Sequence, residues 1–325
     1  MPRFMGVETI TDAAELVALE ANWRDLWART PDATPFQSPM WIVPWWRAFG
    51  SGELHVIATR ERGRLESLAP LFVLREDDES LGMILGSGNT DYCDILGPAE
   101  PVMESLPNIE CQLWDFQQLR PSSPLLRVAA PDGWTDNVTE HDLCPVLSIE
   151  GAGEELQNLI STHFRKKLRY YRRSLERLGE FAVETPSAST LDRFMDALFA
   201  LHAARWQKRG LPGMLAAEID QRFHREAARA LLDAGALRMY ATRVNERIVA
   251  IFYGFAAHGT VFYYLSGYDP DLEKLSIGTV IVAHAIEQAV REGATVFDFL
   301  RGAEQYKYTW GAKDRPNQRR QLFPG

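Results

Sequence analysis

Apolar and polar positions divide the chain into two halves with a similar order of elements. In the first half, helical spacing over Thr11–Arg29 predicts a helix, and a second, aromatic helix follows around Trp41–Phe49. Two apolar runs around the charged turn at Gly63 predict a hairpin. Further strands are expected at GMIL, LWDFQQL, PLLRVAA and LCPVLSI, with a polar connector over 131–142.

The second half opens with an amphipathic helix predicted from about Glu154 to Leu178, followed by a short strand, EFAVET. Helices are expected at Leu191–Lys208 and Ile219–Asp233. ALRMYATR, ERIVAIFYGFAA and TVFYYLSGYD then predict an antiparallel meander. A helix over Ile277–Glu292 leads to TVFDFL, and such a crossover places that strand parallel to the previous one. RRQLF is expected to close the sheet.

These patterns predict an α/β (α+β) chain of two domains, residues 1–150 and 151–325. Each domain is expected to hold a mixed, mostly antiparallel, twisted sheet flanked by helices. A length of 325 residues agrees with two domains. In the first half, LWDFQQL echoes VFDFL of the second half, so that Asp115 is placed like Asp298.

Composition narrows the function classes. The formal net charge of −9 disfavours a general nucleic-acid binder. The chain has no apolar run near the roughly 20 residues of a membrane helix, and its first residues do not resemble a signal peptide. Three cysteines without metal-like spacing suggest neither a disulfide framework nor a zinc site. We therefore expect a cytoplasmic protein with free thiols and no metal.

The stretch TVFDFLRGAEQYKYTWGAK, Thr295–Lys313, concentrates the candidate catalytic groups. Asp298 is the first candidate for a general base, and Glu304 is a reserve base. The alternative for Asp298 is structural, with bonds to backbone amides or a pair with Arg301. Lys307 could bind an acidic acceptor or a phosphate. Tyr306 and Tyr308 belong to the same stretch, and a structural role for them is packing as aromatic residues.

The order of several motifs resembles the GNAT acyltransferase superfamily, and more closely the CelD-like acetyltransferases, which are related to the FemABX aminoacyl transferases. The motifs are FQSPMWIVPWW, LAPLF, DYCDILG, HFRKKLRYYRRSLERLG, ARWQKRG, GYDPDLEKLSIGTVIVAHAIEQA and FDFLRGAEQYKYTWGA. The resemblance spans nearly the whole chain. It implies two GNAT-like domains in tandem, the first of them degenerate, and a link to polysaccharide or cell-envelope biosynthesis. It implies transfer of an acyl group from acyl-CoA to an amine or hydroxyl of a small molecule or saccharide. A tyrosine, Tyr306 or Tyr308, would then act as general acid for the departing thiolate.

The resemblance also implies where the donor would bind. The strand Thr260–Ser266 would splay from its neighbour and pair with the pantetheine arm, and the following helix N-terminus would hold the pyrophosphate. The residues this assigns to the donor site are Tyr264, Leu265, Ser266, Lys274, Ser276, Ile277, Gly278 and Thr279. The usual phosphate pattern has a Gln or Arg before two spaced glycines. Here Ser276 replaces the first glycine, and no Gln or Arg lies three positions before it.

Two alternatives remain open. Seven basic residues of the amphipathic helix, within 163–177, could hold tRNA phosphates, as in a FemABX-like aminoacyl-tRNA-dependent transferase, or contact a membrane surface peripherally. These charges could also be solvated and pair with the acidic remainder of the chain. The other alternative is a non-catalytic GNAT-like scaffold in polysaccharide assembly, which the imperfect phosphate loop favours.

Overall fold

A computed structural model describes residues 6–151, 156, 159–208 and 210–325. The chain forms two compact units. The first contains the described residues up to Leu143 together with Pro316–Gly325, and the second is Cys144–Arg315. The last ten residues thus belong to the first unit. The functional division into domains 1–150 and 151–325 stays a prediction.

The first unit is a mostly antiparallel sheet flanked by helices. Its helices are α1 (Ala13–Ala18), α2 (Glu20–Arg29), α3 (Pro39–Phe49) and α4 (Glu100–Ser105). Its strands are β1 (Val7–Ile10), β2 (Glu53–Glu61), β3 (Arg64–Glu76), β4 (Glu79–Ile84), β5 (Leu113–Leu119), most of β6 (Thr135–Ser148) and most of β12 (Lys313–Phe323). Strands β1 to β4 pair antiparallel in order, β4 and β5 pair parallel, and β12 pairs antiparallel with β5.

The end of the chain is packed into this unit by side chains as well as by strand pairing. Arg319 donates two hydrogen bonds of 2.7 and 2.8 Å to Asp115 of β5, and Arg320 pairs with Asp136 of β6 at 2.7 Å. Asn317 donates to the Asp91 carbonyl and to Gln118. Leu322 is fully buried in the same apolar cluster as Trp114 and Phe116.

The second unit repeats this topology. Its helices are α5 (Thr162–Glu176), α6 (Leu191–Gln207), α7 (Glu218–Asp233), α8 (Ile277–Arg291) and α9 (Gln305–Thr309). Its strands are β7 (Phe181–Glu184), β8 (Leu237–Val244), β9 (Arg247–Ala257), β10 (Thr260–Tyr268), β11 (Val296–Asp298) and the end of β6. Strands β7 to β10 pair antiparallel in order, and the α8 crossover places β11 parallel to β10. The predicted fold class is confirmed.

Some predicted elements were wrong in type or extent. PLLRVAA forms a 3₁₀ helix, Pro124–Leu126, because Pro124 begins the turn and the Ser123 hydroxyl accepts from the Leu125 amide. The polar connector is largely strand β6. One helix was expected over Thr11–Arg29, and the helix is interrupted at Leu19. The predicted start at Glu154 lies outside the described residues, and α5 begins at Thr162, capped by Ser161.

Candidate functional site

The functional geometry of the second unit begins where β10 and β11 separate. Their parallel pairing covers Thr260–Phe262 against Val296–Asp298 and stops where β11 ends. β10 continues to Tyr268, paired with β9 on its other side, and its register shifts between Tyr263 and Leu265. Beyond Phe262, no strand of the described residues in this unit covers the β11 side of β10. The resemblance implies this splayed geometry for a donor-binding strand.

A cavity of about 320 Å³ lies at this opening. Its volume is at the lower end of the range of small-molecule sites, about 300–1,000 Å³. Aromatic rings and hydroxyls make up most of its wall. The lining residues are Phe164, Arg205, Tyr263, Ser266, Tyr268, Glu273, Ser276, Gly278, Thr279, Val282, Tyr306, Thr309 and Trp310. The cavity therefore brings together α5, α6, β10, the start of α8 and α9, which are spread over the sequence from Phe164 to Trp310.

The start of α8 contributes backbone donors to this cavity. Ser276 adopts a left-handed conformation (φ 53°) and makes no side-chain cap bond. The amides of Thr279 and Val280 donate to the Ser276 carbonyl, and no hydrogen bond is recorded among the described residues for the amides of Ile277 and Gly278. Free first-turn amides attract anions. A side chain at Gly278 would crowd Tyr268, because an added Cβ lies 3.3 Å from Tyr268 Cδ1.

The predicted donor residues divide into two sets. Ser266, Ser276, Gly278 and Thr279 line the cavity. The Ile277 side chain is fully buried in the core below. Lys274, Tyr264 and Leu265 are not among the lining residues. Tyr264 lies on the opposite face of the sheet, where its ring contacts His224 and Tyr253.

Two tyrosines and a serine line one wall. Tyr263 Oη lies 2.5 Å from Ser266 Oγ, and the centres of the Tyr263 and Tyr306 rings lie 6.5 Å apart. Burial raises the pKa of Tyr263; burial of the Tyr306 hydroxyl and the neighbouring Tyr263 and Glu304 raise the pKa of Tyr306, although the residue as a whole is 39% exposed. Both phenols therefore keep their protons at neutral pH. This makes Tyr306 suited to donate a hydrogen bond to an anion that forms in the cavity.

Asp298 lies behind this wall rather than in it. It is 1% exposed; its Oδ1 accepts from the Leu300 amide at 2.8 Å, and its Oδ2 accepts from Arg315 at 2.6 Å. Asp115 in β5 of the first unit is held in the same way by Arg319. A buried strand aspartate paired with an arginine of β12 is thus common to both units. The role of Asp298 as general base stays a prediction.

Lys307 also faces away from the cavity. Its side chain is buried, and its Nζ donates to the carbonyls of Leu300, Arg301 and Gly302 at 3.2, 2.7 and 2.9 Å. Its Nζ also lies 2.9 Å from Glu304 Oε2. Because an ammonium has three N–H donors, these contacts occupy it fully. Lys307 holds the 300–302 loop against α9.

The remaining candidates, Glu304 and Tyr308, do not line the cavity. Glu304 is the N-cap residue of α9, has a side chain 58% exposed, and raises the pKa of Tyr306. Tyr308 donates to Asp314 at 2.6 Å, which raises the pKa of Tyr308 to about 12.

Sequence reasoning gave no role to several lining residues. Phe164 of α5 and Trp310 pack edge to face at 4.8 Å, and the Arg205 guanidinium lies 4.9 Å from the centre of the Tyr268 ring. The motif ARWQKRG contains Arg205 and was a usable signal. Phe164 and Trp310 also lie within quoted motifs, but an aromatic residue at helical spacing is usually core, so the sequence did not assign them to the site.

None of the helices in the described ranges has the length and apolar character to cross a bilayer. Within the same ranges, no three His, Cys, Asp or Glu side chains are grouped closely enough to hold a metal ion.

Residues 162–308 match the family model described as an acetyltransferase (GNAT) domain. No curated protein sequence matches the chain. Among solved structures, the chain resembles FemX, with a TM-score of 0.67 and 11% identity over 97% of each chain. It also resembles the C-terminal domain (DUF2156) of a putative lysylphosphatidylglycerol synthetase from Agrobacterium fabrum, with a TM-score of 0.59 and 14% identity over 95% of this chain and 92% of that one.

A third similar structure is L-PGS from Bacillus licheniformis, with a TM-score of 0.52 and 14% identity over 80% of this chain and 81% of that one. At identities of 11% to 14%, the similarity shows a shared fold only. The chain therefore carries a GNAT-type acetyltransferase domain at residues 162–308, within a fold that it shares with FemX and with the lysylphosphatidylglycerol synthetase domain.

Proposed function

We propose that the second unit is an acyltransferase that moves an acetyl or other acyl group from acyl-CoA to an amine or hydroxyl of a small-molecule or saccharide acceptor. The observation that carries the proposal is the cavity at the splayed end of β10, beside the free first-turn amides of α8. The match of residues 162–308 to a GNAT domain supports the same reaction class. The CelD-like assignment and a place in polysaccharide or cell-envelope biosynthesis belong to this proposal.

Acyl transfer combines bond formation, bond cleavage and proton movement. The acceptor N or O forms a bond to the thioester carbonyl carbon, the C–S bond breaks, and the acceptor proton leaves while the thiolate gains one. In this proposal, Tyr306 donates a hydrogen bond to the developing thiolate, and the hydrogen-bonded hydroxyls of Tyr263 and Ser266 line the same cavity. β10 offers its open backbone edge to the donor arm, and the first turn of α8 holds the anionic end.

Glu304 and Asp298 are the two candidates for the group that accepts the proton of the acceptor. Glu304 is close enough to affect the pKa of Tyr306 and is solvent-accessible, so it can exchange a proton with water. Both carboxylates have a cationic partner, Lys307 for Glu304 and Arg315 for Asp298, but Asp298 is 1% exposed and Glu304 is not enclosed. We therefore propose Glu304 ahead of Asp298 as the base, with Asp298 positioning the loop that carries α9.

Thermal shift and turnover together test the proposal. A saturating acyl-CoA at about 100 times its dissociation constant adds about 2.7 kcal/mol to stability. For a unit of this size the melting temperature should rise by roughly 5–10 °C. Mass spectrometry should detect acyl transfer to an amine, amino sugar or hydroxyl acceptor in a panel. Tyr170→Phe on the exposed surface is the matched control for Tyr306→Phe. If no acyl-CoA at millimolar concentration shifts the melting temperature, the acyl-CoA proposal fails.

The exposed face of α5 favours a second candidate, an aminoacyl-tRNA donor. Arg172 pairs with Glu287 at 2.8 Å, whereas no ion pair is recorded in the described parts of the chain for the other exposed basic residues of this face. They are Lys166, Lys167, Arg169, Arg173 and Arg177. Tyr170 lies among them with 63% of its surface exposed. A row of solvated cations beside an aromatic ring suits a phosphate backbone.

Salt-dependent tRNA binding distinguishes the two donors. Replacing Lys166, Lys167 and Arg169, three exposed residues of this face, by glutamine should weaken tRNA binding and reduce the slope of log K against log salt by roughly 2 to 3. Neutralising Arg24, Arg62 and Lys313, which are exposed elsewhere, is the charge-matched control. Absence of tRNA binding at low salt removes this candidate.

A further inference from the structure

The cavity contains one positively charged side chain. Among its lining residues, all of them described, Arg205 is the cation and Glu273 is the carboxylate. Glu273 is turned to Lys208, whose Nζ lies 3.1 Å from Glu273 Oε2 and also donates to the Pro270 carbonyl. No ion pair is recorded for Arg205 in the described part of the chain. The charge facing the cavity is therefore not balanced by the protein there.

The environment of Arg205 makes that imbalance costly. Its Nε is buried and has no hydrogen-bond partner among the described residues. The guanidinium stacks over the Tyr268 ring, with Cζ 4.9 Å from the ring centre. A guanidinium does not lose its proton in a protein, so its Nε–H remains available to an acceptor that enters the cavity. Stacking holds the group in place before that acceptor arrives.

Tyr268 connects Arg205 to the beginning of α8. One face of its ring lies under the guanidinium, and the same ring is the neighbour that crowds Gly278. Arg205 therefore lies near the first turn of α8, whose Ser276 and Thr279 line the cavity. The planar fork of an arginine matches two oxygens of a phosphate. The α8 loop itself has no Arg or Gln three positions before Ser276.

We propose that Arg205, supplied by α6, binds a phosphate group of the donor in this cavity and replaces the cation that the α8 loop lacks. The proposal rests on the proposed acyltransferase function for the identity of the donor and on the cavity for the anion. Ser276, Thr279 and the Gly278 amide complete the phosphate site.

Four probes and three variants test the proposal in the full chain. Isothermal titration measures binding of CoA, of pantetheine, which lacks the phosphates, and of inorganic pyrophosphate. Arg205→Met keeps a long side chain and removes the charge, Arg205→Lys restores the charge without the fork, and Arg222→Met removes an exposed arginine of α7 as the matched control. Total tRNA is a fourth probe, because its phosphates have the same chemistry.

Arg205→Met should weaken CoA binding by about 10- to 100-fold, the loss expected for one charge-assisted contact. Pantetheine binding should change less than about threefold, and Arg222→Met should bind all probes like the wild type. Arg205→Lys should lie between the wild type and Arg205→Met. The melting temperature of ligand-free Arg205→Met should stay within about 4 °C, because the recorded loss is the contact with the Tyr268 ring, worth roughly 1 kcal/mol.

Different outcomes separate this inference from the proposed function. Equal weakening of CoA and pantetheine, or no weakening of CoA, overturns the role of Arg205 while leaving the acyl-CoA donor intact. Arg205-dependent binding of pyrophosphate or tRNA without CoA binding keeps the phosphate site and rejects acyl-CoA as donor. A wild-type protein that binds none of the phosphate probes overturns the inference.

Discussion

Replacing Lys307 by methionine should destabilise the second unit and should affect ligand binding only through that loss. Methionine keeps the length and apolar stem of the buried side chain and removes the ammonium. Three carbonyls, of Leu300, Arg301 and Gly302, then lose their donor. An unsatisfied buried acceptor costs about 1–3 kcal/mol. Because the Arg301 and Gly302 contacts are only partly buried, we expect a total of about 3–5 kcal/mol.

The stability change can be measured by urea unfolding and by thermal melting. At roughly 2–4 °C for each kcal/mol in a unit of this size, the melting temperature should fall by about 6 °C or more. Lys313→Met, at an exposed lysine of the same unit, should change the stability by less than about 0.5 kcal/mol. If Lys307→Met has the stability of the wild type and loses affinity for an anionic ligand, the structural role is refuted and the sequence-based ligand role is supported.

Three other changes test the site. Tyr306→Phe should lower the kcat measured by steady-state kinetics by roughly 100-fold, with the donor KM within about threefold and the melting temperature nearly unchanged. An unchanged kcat would exclude Tyr306 as proton donor. Asp298→Asn should lower the free energy of unfolding by about 1–3 kcal/mol because its pair with Arg315 is weakened, and the control Asp115→Asn in the first unit should do the same. Loss of the acid limb of the pH–rate profile without loss of stability would instead identify Asp298 as the base. Burial and the nearby Arg205 lower the pKa of His202 to about 4 from 6.5. Between these two pH values the unfolded state binds more protons than the folded state, so the free energy of unfolding decreases as the pH is lowered. His202→Gln should remove about 2 kcal/mol of the loss between about pH 7 and pH 5 measured by urea unfolding, and the same pH dependence in variant and wild type would refute this.

Local patterning was sufficient to predict most of the fold. The meander of β8 to β10, the α8 crossover and the parallel placement of β11 follow from apolar alternation and from helix length. The elements that were wrong depend on tertiary contacts. Polar β6 carries almost no apolar alternation, because eight of its first nine residues are exposed and Asp136 pairs with Arg320 near the end of the chain.

The candidate site was predictable where backbone order alone sets position. Ser276, Gly278 and Thr279 reach the cavity because they begin the helix after the splayed strand. Which face a side chain takes was harder to predict. The bulge near Tyr264 shifts the alternation along β10, and Tyr264 contacts His224 on the opposite face. Asp298 pairs with Arg315, a contact that depends on where β12 begins.

The return of Pro316–Gly325 to the first unit has a consequence for synthesis. A chain emerging from the ribosome at about 5–20 residues per second usually folds its N-terminal domain first. Here β5 obtains β12, the Arg319 partner of Asp115 and the buried Leu322 only after the second unit has been translated. The first unit therefore cannot complete its sheet beside β5 until the residues of β12 have been translated.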